Sequence, residues 1–187
     1  MKKFMIVALG CVLATGATAK TAGFQLSFTP DIAIQDRDTI INGVSIGVWN
    51  ENPSSTFHWQ FGFVNGATGD STGGQWAVLL PTFYNYAENH TGLQWGFVNN
   101  TSGKFVGWQN AWIFNYANSF VGLQSAAVNI SQKATGVQLG FVNYTASAHN
   151  LFQVGVVNII ADNPWFSNFP QEFAQGFVIA NWSFGSH

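Results

Sequence analysis

One stretch of this chain is shaped like a catalytic motif: Gly69-Asp70-Ser71-Thr72-Gly73, a Gly-x-Ser-x-Gly string. Such a string supports nucleophilic chemistry when its serine sits on a sharp strand-to-helix turn and a histidine accepts its proton. His58, His90 and His149 are present, but no local spacing ties any of them to Ser71. The string also occupies the place in its repeat that Asn100–Gly103 holds in a neighbouring one, so it reads as a polar loop between strands. Asp36 and Asp38 in "IQDRDT" lack the Gly turn and later Glu of a calcium loop. The histidines are scattered, without the spacing of a metal site. Catalytic, cofactor-binding and metal-binding residues are therefore expected to be absent, with a hydrolase as the remote alternative.

Composition narrows the classes further. Lys2 and Lys3 precede an apolar run from Phe4 to Ala14, with small residues at Ala17 and Ala19. This predicts a secretory signal over residues 1–19 and a single repeat-built β domain over 20–187. The run is too short for a membrane-spanning helix, which needs about 20 apolar residues. Cys11, the only cysteine, falls inside the predicted signal, leaving the exported part without a thiol nucleophile or a disulfide. That part keeps Lys20, Arg37, Lys104 and Lys133 against eight acidic residues, 4 − 8 = −4, and has no basic patch for nucleic acid. Charged residues make up 7% of the chain, against about 25% in soluble domains. Much of the surface is thus expected to face something other than water.

The elements around the motif are set by a repeat. Gln60, Gln75, Gln94, Gln109, Gln124, Gln138 and Gln153 recur in steps of fifteen residues, apart from one step of nineteen and one of fourteen, with Ser45 in the place of the first. Two residues on, the side chain is small (Gly62, Gly96, Gly140 and Gly155 among them), and five on stands Asn at Asn65, Asn99, Asn129, Asn143 and Asn158. Gly43, Gly73, Gly92, Gly107, Gly122 and Gly136 precede the Gln (or Ser45) by two. Self-similarity of this kind governs the whole fold.

Within each unit the pattern alternates. Leu93, Trp95 and Phe97 share one face, as do Val137, Leu139 and Phe141, while Gly and Gln share the other. The unit at Gln124 is eroded, with Leu123, Ser125 and Ala127 on the bulky face. Recurring Gly excludes helices, and Val, Ile, Phe and Trp favour strands. Segments such as "NGATGDSTG", "NNTSGK" and "NYAN" read as turns, with the repeated Asn at the strand exit. Strands of about nine residues suit a tilted span of a bilayer. The expected fold is all-β: an antiparallel outer-membrane β-barrel of about ten strands, bulky face to membrane lipid and Gln inward, with Gly107 opposite Ala126. Tyr86, Tyr116 and Tyr144 would form an interfacial belt. The alternative is a parallel β-solenoid of 15-residue coils with stacked Gln and Asn and the bulky face as a dry core.

With "GLQWGFVN", "GVQLGFVN" and "VIANWSF" in view, the chain resembles bacterial surface-repeat proteins built from Gly-Leu-Gln-x-Gly-x-Val-Asn units, over roughly residues 42–184. Departures are Ser45 for Gln, Leu80 where Asn belongs, and the eroded unit at Gln124. The resemblance implies an exported, envelope-associated protein of unsettled function. Some such proteins are labelled polyhydroxyalkanoate synthases. That reaction needs a Cys nucleophile on an α/β elbow, for which this chain has no candidate. The expectation is a non-enzymatic protein of the Gram-negative outer membrane or cell surface, structural or interactive in role. A secreted or periplasmic solenoid that binds or adheres is the alternative.

Overall fold

The computed structural model describes residues 19–76 and 82–184. Residues 1–18 of the predicted signal peptide, and with them Cys11, lie outside them, as do Ala77, Leu80 and Pro81 of the repeat. The described chain is all-β, in strands β1 (Thr21–Thr29), β2 (Ile32–Ala33), β3 (Ile40–Asn52), β4 (His58–Trp76), β5 (Tyr84–Ser125), β6 (Val128–Leu139), β7 (Val142–Ile160) and β8 (Gly176–Ser183). They form one sheet ordered β2-β1-β3-β4-β5-β6-β7-β8. The 42 residues of β5 run without a break through several repeats. "NNTSGK" and "NYAN", read from sequence as turns, are therefore parts of the strand that carry the chain round each coil.

The architecture is a β-solenoid, and the antiparallel barrel expected as the main reading does not form. β1 with β3, β3 with β4, β4 with β5, β5 with β6 and β6 with β7 all pair in parallel. Each Gln lies beside the Gln of the next coil, as in Gln75 with Gln94 and Gln124 with Gln138. Gly107 accordingly neighbours Gly122, not Ala126. A Cβ built on Gly122 would lie 2.1 Å from the Gly107 carbonyl oxygen, and Gly122 itself has φ 132°. The physical reason lies in that row. Six glycines in one phase let successive backbones approach at a corner, at φ values that L side chains rarely adopt, whereas His58 and Leu151 take the same row in the coils of Gln60 and Gln153 without a positive φ. A barrel also needs strand stagger that an in-register repeat lacks.

The faces are the reverse of those expected for a solenoid. The bulky residues lie outside, with Trp112 67% and Phe141 68% exposed, while Gln94, Gln109, Gln124, Gln138 and Gln153 are fully buried. Buried amides need partners, and stacking supplies them. Each Gln Nε2 donates to the Oε1 of the preceding coil: Gln75 to Gln60, Gln94 to Gln75, and so on to Gln153 with Gln138, at 2.7–2.9 Å. The repeated Asn is not a strand exit but a second interior row, running the other way. Asn50 Nδ2 donates to Asn65, Asn65 to Asn85, then to Asn99, Asn115, Asn129, Asn143 and Asn158, at 2.8–3.2 Å. Small residues two after the Gln make room for it: a Cβ on Gly62 would meet Asn50 Nδ2 at 2.5 Å, and one on Gly140 would meet Asn129 Nδ2 at 2.7 Å. Phe105, Phe120, Ala117 and Ala134 fill the rest of the interior.

Both ends are closed by reversed strands. β2 runs antiparallel to β1, and β8 antiparallel to β7, bringing Asn181 beside Gln153. The "NWSF" segment belongs to this cap: Asn181 Nδ2 donates to the Ala174 carbonyl at 2.8 Å. Short or covered edges of this sort prevent end-to-end pairing of strands. The Gln row stops at Gln153, whose Oε1 is left without a partner.

Candidate functional site

Two features could carry function: buried Ser–His pairs inside, and the apolar face outside. The nineteen-residue step brings Ser71 on β4 beside His90 on β5, a juxtaposition the sequence reading did not anticipate. Ser71 Oγ lies 2.8 Å from His90 Nδ1 and 3.1 Å from the Asn89 carbonyl. His90 stacks on Phe105, which stacks on Phe120. Among the described residues no carboxylate bonds its Nε2 to orient the ring as a hydrolytic triad requires. Burial lowers the His90 pKa to about 4, and Ser71 and His90 are 8% and 3% exposed. The pair is a sealed core contact.

His58 has a structural explanation in the repeat. It stands in the glycine row, beside Gly43, in the coil next to the one where Ser45 replaces Gln. Its ring occupies the space that a full-length amide would fill. Asn52 Nδ2, fixed in orientation by its bonds to the Ile41 backbone, donates to His58 Nδ1 at 2.8 Å. Nε2 is then the protonated nitrogen and donates to Ser45 Oγ at 2.7 Å. Burial, with a smaller contribution from His90, lowers its pKa to about 4.

Asp36 of the "IQDRDT" loop is held by Lys20 Nζ at 2.6 Å, and no group of three or more metal-ligating side chains occurs among the described residues. Tyr86, expected in an aromatic belt, sits instead against Gly66 on the next coil. Its hydroxyl bonds Glu51 and receives Trp49 Nε1 at 3.2 Å. Burial and the Glu51 contact raise its pKa.

The outer face is the larger feature. From one residue before each Gln (or Ser45) to four after it, no coil contains Asp, Glu, Lys or Arg, and the charged residues of the coils (Glu51, Asp70, Glu88, Lys104, Lys133 and Asp162) all lie outside that window. Aromatic rings stack along this face from coil to coil: Phe63 on Phe83, Phe83 on Phe97, Phe97 on Trp112, and Trp76 on Trp95 on Trp108. The stack stops at the eroded coil of Gln124, where Ser125 and Ala127 stand in the bulky rows. The result is a groove of about 860 Å³ floored by Ala126 and Gly140 and walled by Trp112, Phe141 and Val156. Its polar edge is Asn110 and Ser125, with Trp108 Nε1 donating to Ser125 Oγ at 3.3 Å. Ile179, at the far end of the groove, is 75% exposed at φ 70°, a conformation unfavourable for a β-branched residue. The gap was visible in the sequence as the eroded unit; what it signified was not, because the barrel reading set the bulky face against lipid and the solenoid alternative buried it.

The described fold is thus a capped β-solenoid with an amide interior and a charge-free apolar face. No family model matches the chain, and no curated protein or solved structure does either.

Proposed function

We propose that this protein is an exported, non-catalytic β-solenoid of the cell envelope that works by binding or adhesion through its apolar face. The carrying observation is the separation of charge: one side of every coil is uncharged and, except in the coil of Gln124, bears bulky Trp, Phe, Leu or Val, while the return side holds the charges. A soluble monomer rarely exposes a contiguous apolar surface of this extent unless something covers it. The interior supports a scaffold role, because its Gln and Asn are used up in bonding one another. The sealed Ser71–His90 pair supports the non-catalytic reading.

Fractionation of cells tests it. Wild type should be recovered with the envelope, whereas Trp112→Lys/Phe141→Lys should move to the soluble fraction with its far-UV circular dichroism unchanged. Ser102→Lys, on the return side, should stay with the envelope. Envelope recovery of all three would remove the apolar face as the binding surface. Ester hydrolysis by the purified protein that disappears in Ser71→Ala would overturn the non-catalytic reading.

A further inference from the structure

We infer that the occupant of the apolar face is a second copy of this chain, docked face to face and antiparallel about a two-fold axis. This rests on the reading of that face as the binding surface and commits to one partner for it.

The argument starts from how the bulky rows are distributed. In the layers before the groove the rows hold large rings, Trp76, Trp95, Phe97, Trp108 and Trp112; from Gln124 onward they hold Leu123, Ser125, Ala127, Leu139, Val154 and Val156, with Phe141 and Phe152 the exceptions. Consider a two-fold axis lying along the strands, midway between the coils of Gln109 and Gln124. It keeps every residue in its row and exchanges the two halves of the stack. Trp112 of each copy then falls over Ala127 of the other, so the exposed ring enters the groove. Trp95 falls over Leu139, and Asn110 over Ser125. Asn110 Oδ1 accepts from Ser125 Oγ within each copy, so the axis sets one polar Asn110–Ser125 pair against the other. Apart from Phe97 over Phe141, where ring meets ring, large meets small along these rows, the self-complementarity that an isologous contact requires.

Size and charge agree. Eight stacked layers at about 4.8 Å, each crossed by six residues at about 3.3 Å, make a footprint of roughly 750 Å² per copy. That is close to the ~800 Å² per partner of a stable interface. The face holds no charge to desolvate. An anionic bilayer fits less well, because the described chain carries four basic residues against eight acidic ones, and none of the four lies on the apolar face to meet lipid headgroups. The reversed strands at both ends leave this face, and not the sheet edges, as the place for self-association.

The experiment uses the full chain with Cys11→Ser, so that introduced thiols stand alone. Sedimentation equilibrium of wild type in plain buffer should give twice the 20.3 kDa chain mass, and Ala127→Lys should raise the dimer Kd at least about 100-fold. Phe97→Cys/Phe141→Cys should crosslink between chains with a short bismaleimide, because the axis sets residue 97 against residue 141 of the partner. Either single variant should give no covalent dimer, its two thiols being three layers, roughly 14 Å, out of register. Crosslinking by Phe97→Cys alone would overturn the antiparallel arrangement. A wild-type monomer with no crosslink in the double variant would overturn the dimer, whether or not that monomer floats with phosphatidylcholine or phosphatidylglycerol vesicles. Loss of envelope association on Trp112→Lys/Phe141→Lys in such a monomer would leave the binding reading standing with a different partner. Should Ala127→Lys fail to fold, the cysteine pair decides alone.

Discussion

The coils of Gln109 and Gln124 are neighbours with the same interior and opposite exteriors. Inside, both amides are fully buried, each donates to the coil before it, and Asn115 and Asn129 continue the second row. Outside, Trp108, Trp112 and Ile113 project from the first, whereas the second offers Ser125 and Ala127. The interior tolerates almost no change because each amide is both donor and acceptor in a chain of bonds. The exterior can change freely because strand pairing does not depend on it. Folding is specified by one side of the strand and binding by the other.

Breaking the shared interior should have the largest effect. Gly122→Val places a β-branched residue at φ 132° with its Cβ 2.1 Å from the Gly107 carbonyl oxygen. It should cost about 4–5 kcal/mol, enough to prevent folding, as read by recovery of folded protein and urea unfolding. Next, Gln109→Leu removes the acceptor of Gln124 Nε2 and the donor to the Tyr116 carbonyl, a loss of about 3 kcal/mol. Gln124→Leu should cost the same within about 1 kcal/mol. A much milder effect at 124 would mean that the eroded exterior reflects an eroded interior, and the comparison would fail.

The histidines give a pH test of intermediate size. His58 and His90 have folded pKa values of about 4 against an ordinary 6.5. The unfolded chain therefore binds protons that the folded chain refuses. Their contribution is whole above pH 6.5 and is lost as pH falls from 6.5 toward 4, on the order of 2–3 kcal/mol apiece. Urea midpoints at pH 7.5 and 4.5 should differ accordingly. His90→Phe, which extends the ring stack of Phe105 and Phe120, should remove about half of the slope. Smallest of all, Ile113→Thr, on the outer side of the Gln109 coil, should change stability by less than about 0.5 kcal/mol in thermal melts.

Much of this was legible in the sequence. The fifteen-residue period and the division of Gln and small residues from Trp and Phe between two faces are as the alternation predicts; inward Gln and outward rings belong to the barrel reading, whereas the solenoid alternative put the bulky face in the core. Strand direction was not, because parallel and antiparallel pairing both set Gln against Gln. The glycines before each Gln held the answer, since one row of positive-φ corners arises only if every coil turns the same way. Asn was misread as a turn residue because its preference for turns is general, whereas its ladder depends on a neighbour fifteen residues away. The Ser71–His90 contact was hidden for a related reason: the nineteen-residue step that separates Gln75 from Gln94 also separates these two, but only the parallel stack makes such a step a distance in space. The groove's position could be read from Ser125 and Ala127, and its meaning needed the bulky rows to be known as outer surface.

The two amide rows run in opposite directions, Gln donating toward the N-terminus and Asn toward the C-terminus. From the coil of Gln75 to that of Gln138, each coil therefore offers its neighbours the same pair of half-bonds above and below. Such a coil works like a tile. A duplicated or deleted block of whole coils rejoins both rows without an unmatched amide, whereas an insertion of one or two residues within a ladder strand breaks both at once. Gene-level gain and loss of repeats can thus lengthen or shorten the scaffold in steps of about 4.8 Å, leaving the caps, the interior and the spacing of the outer rows untouched.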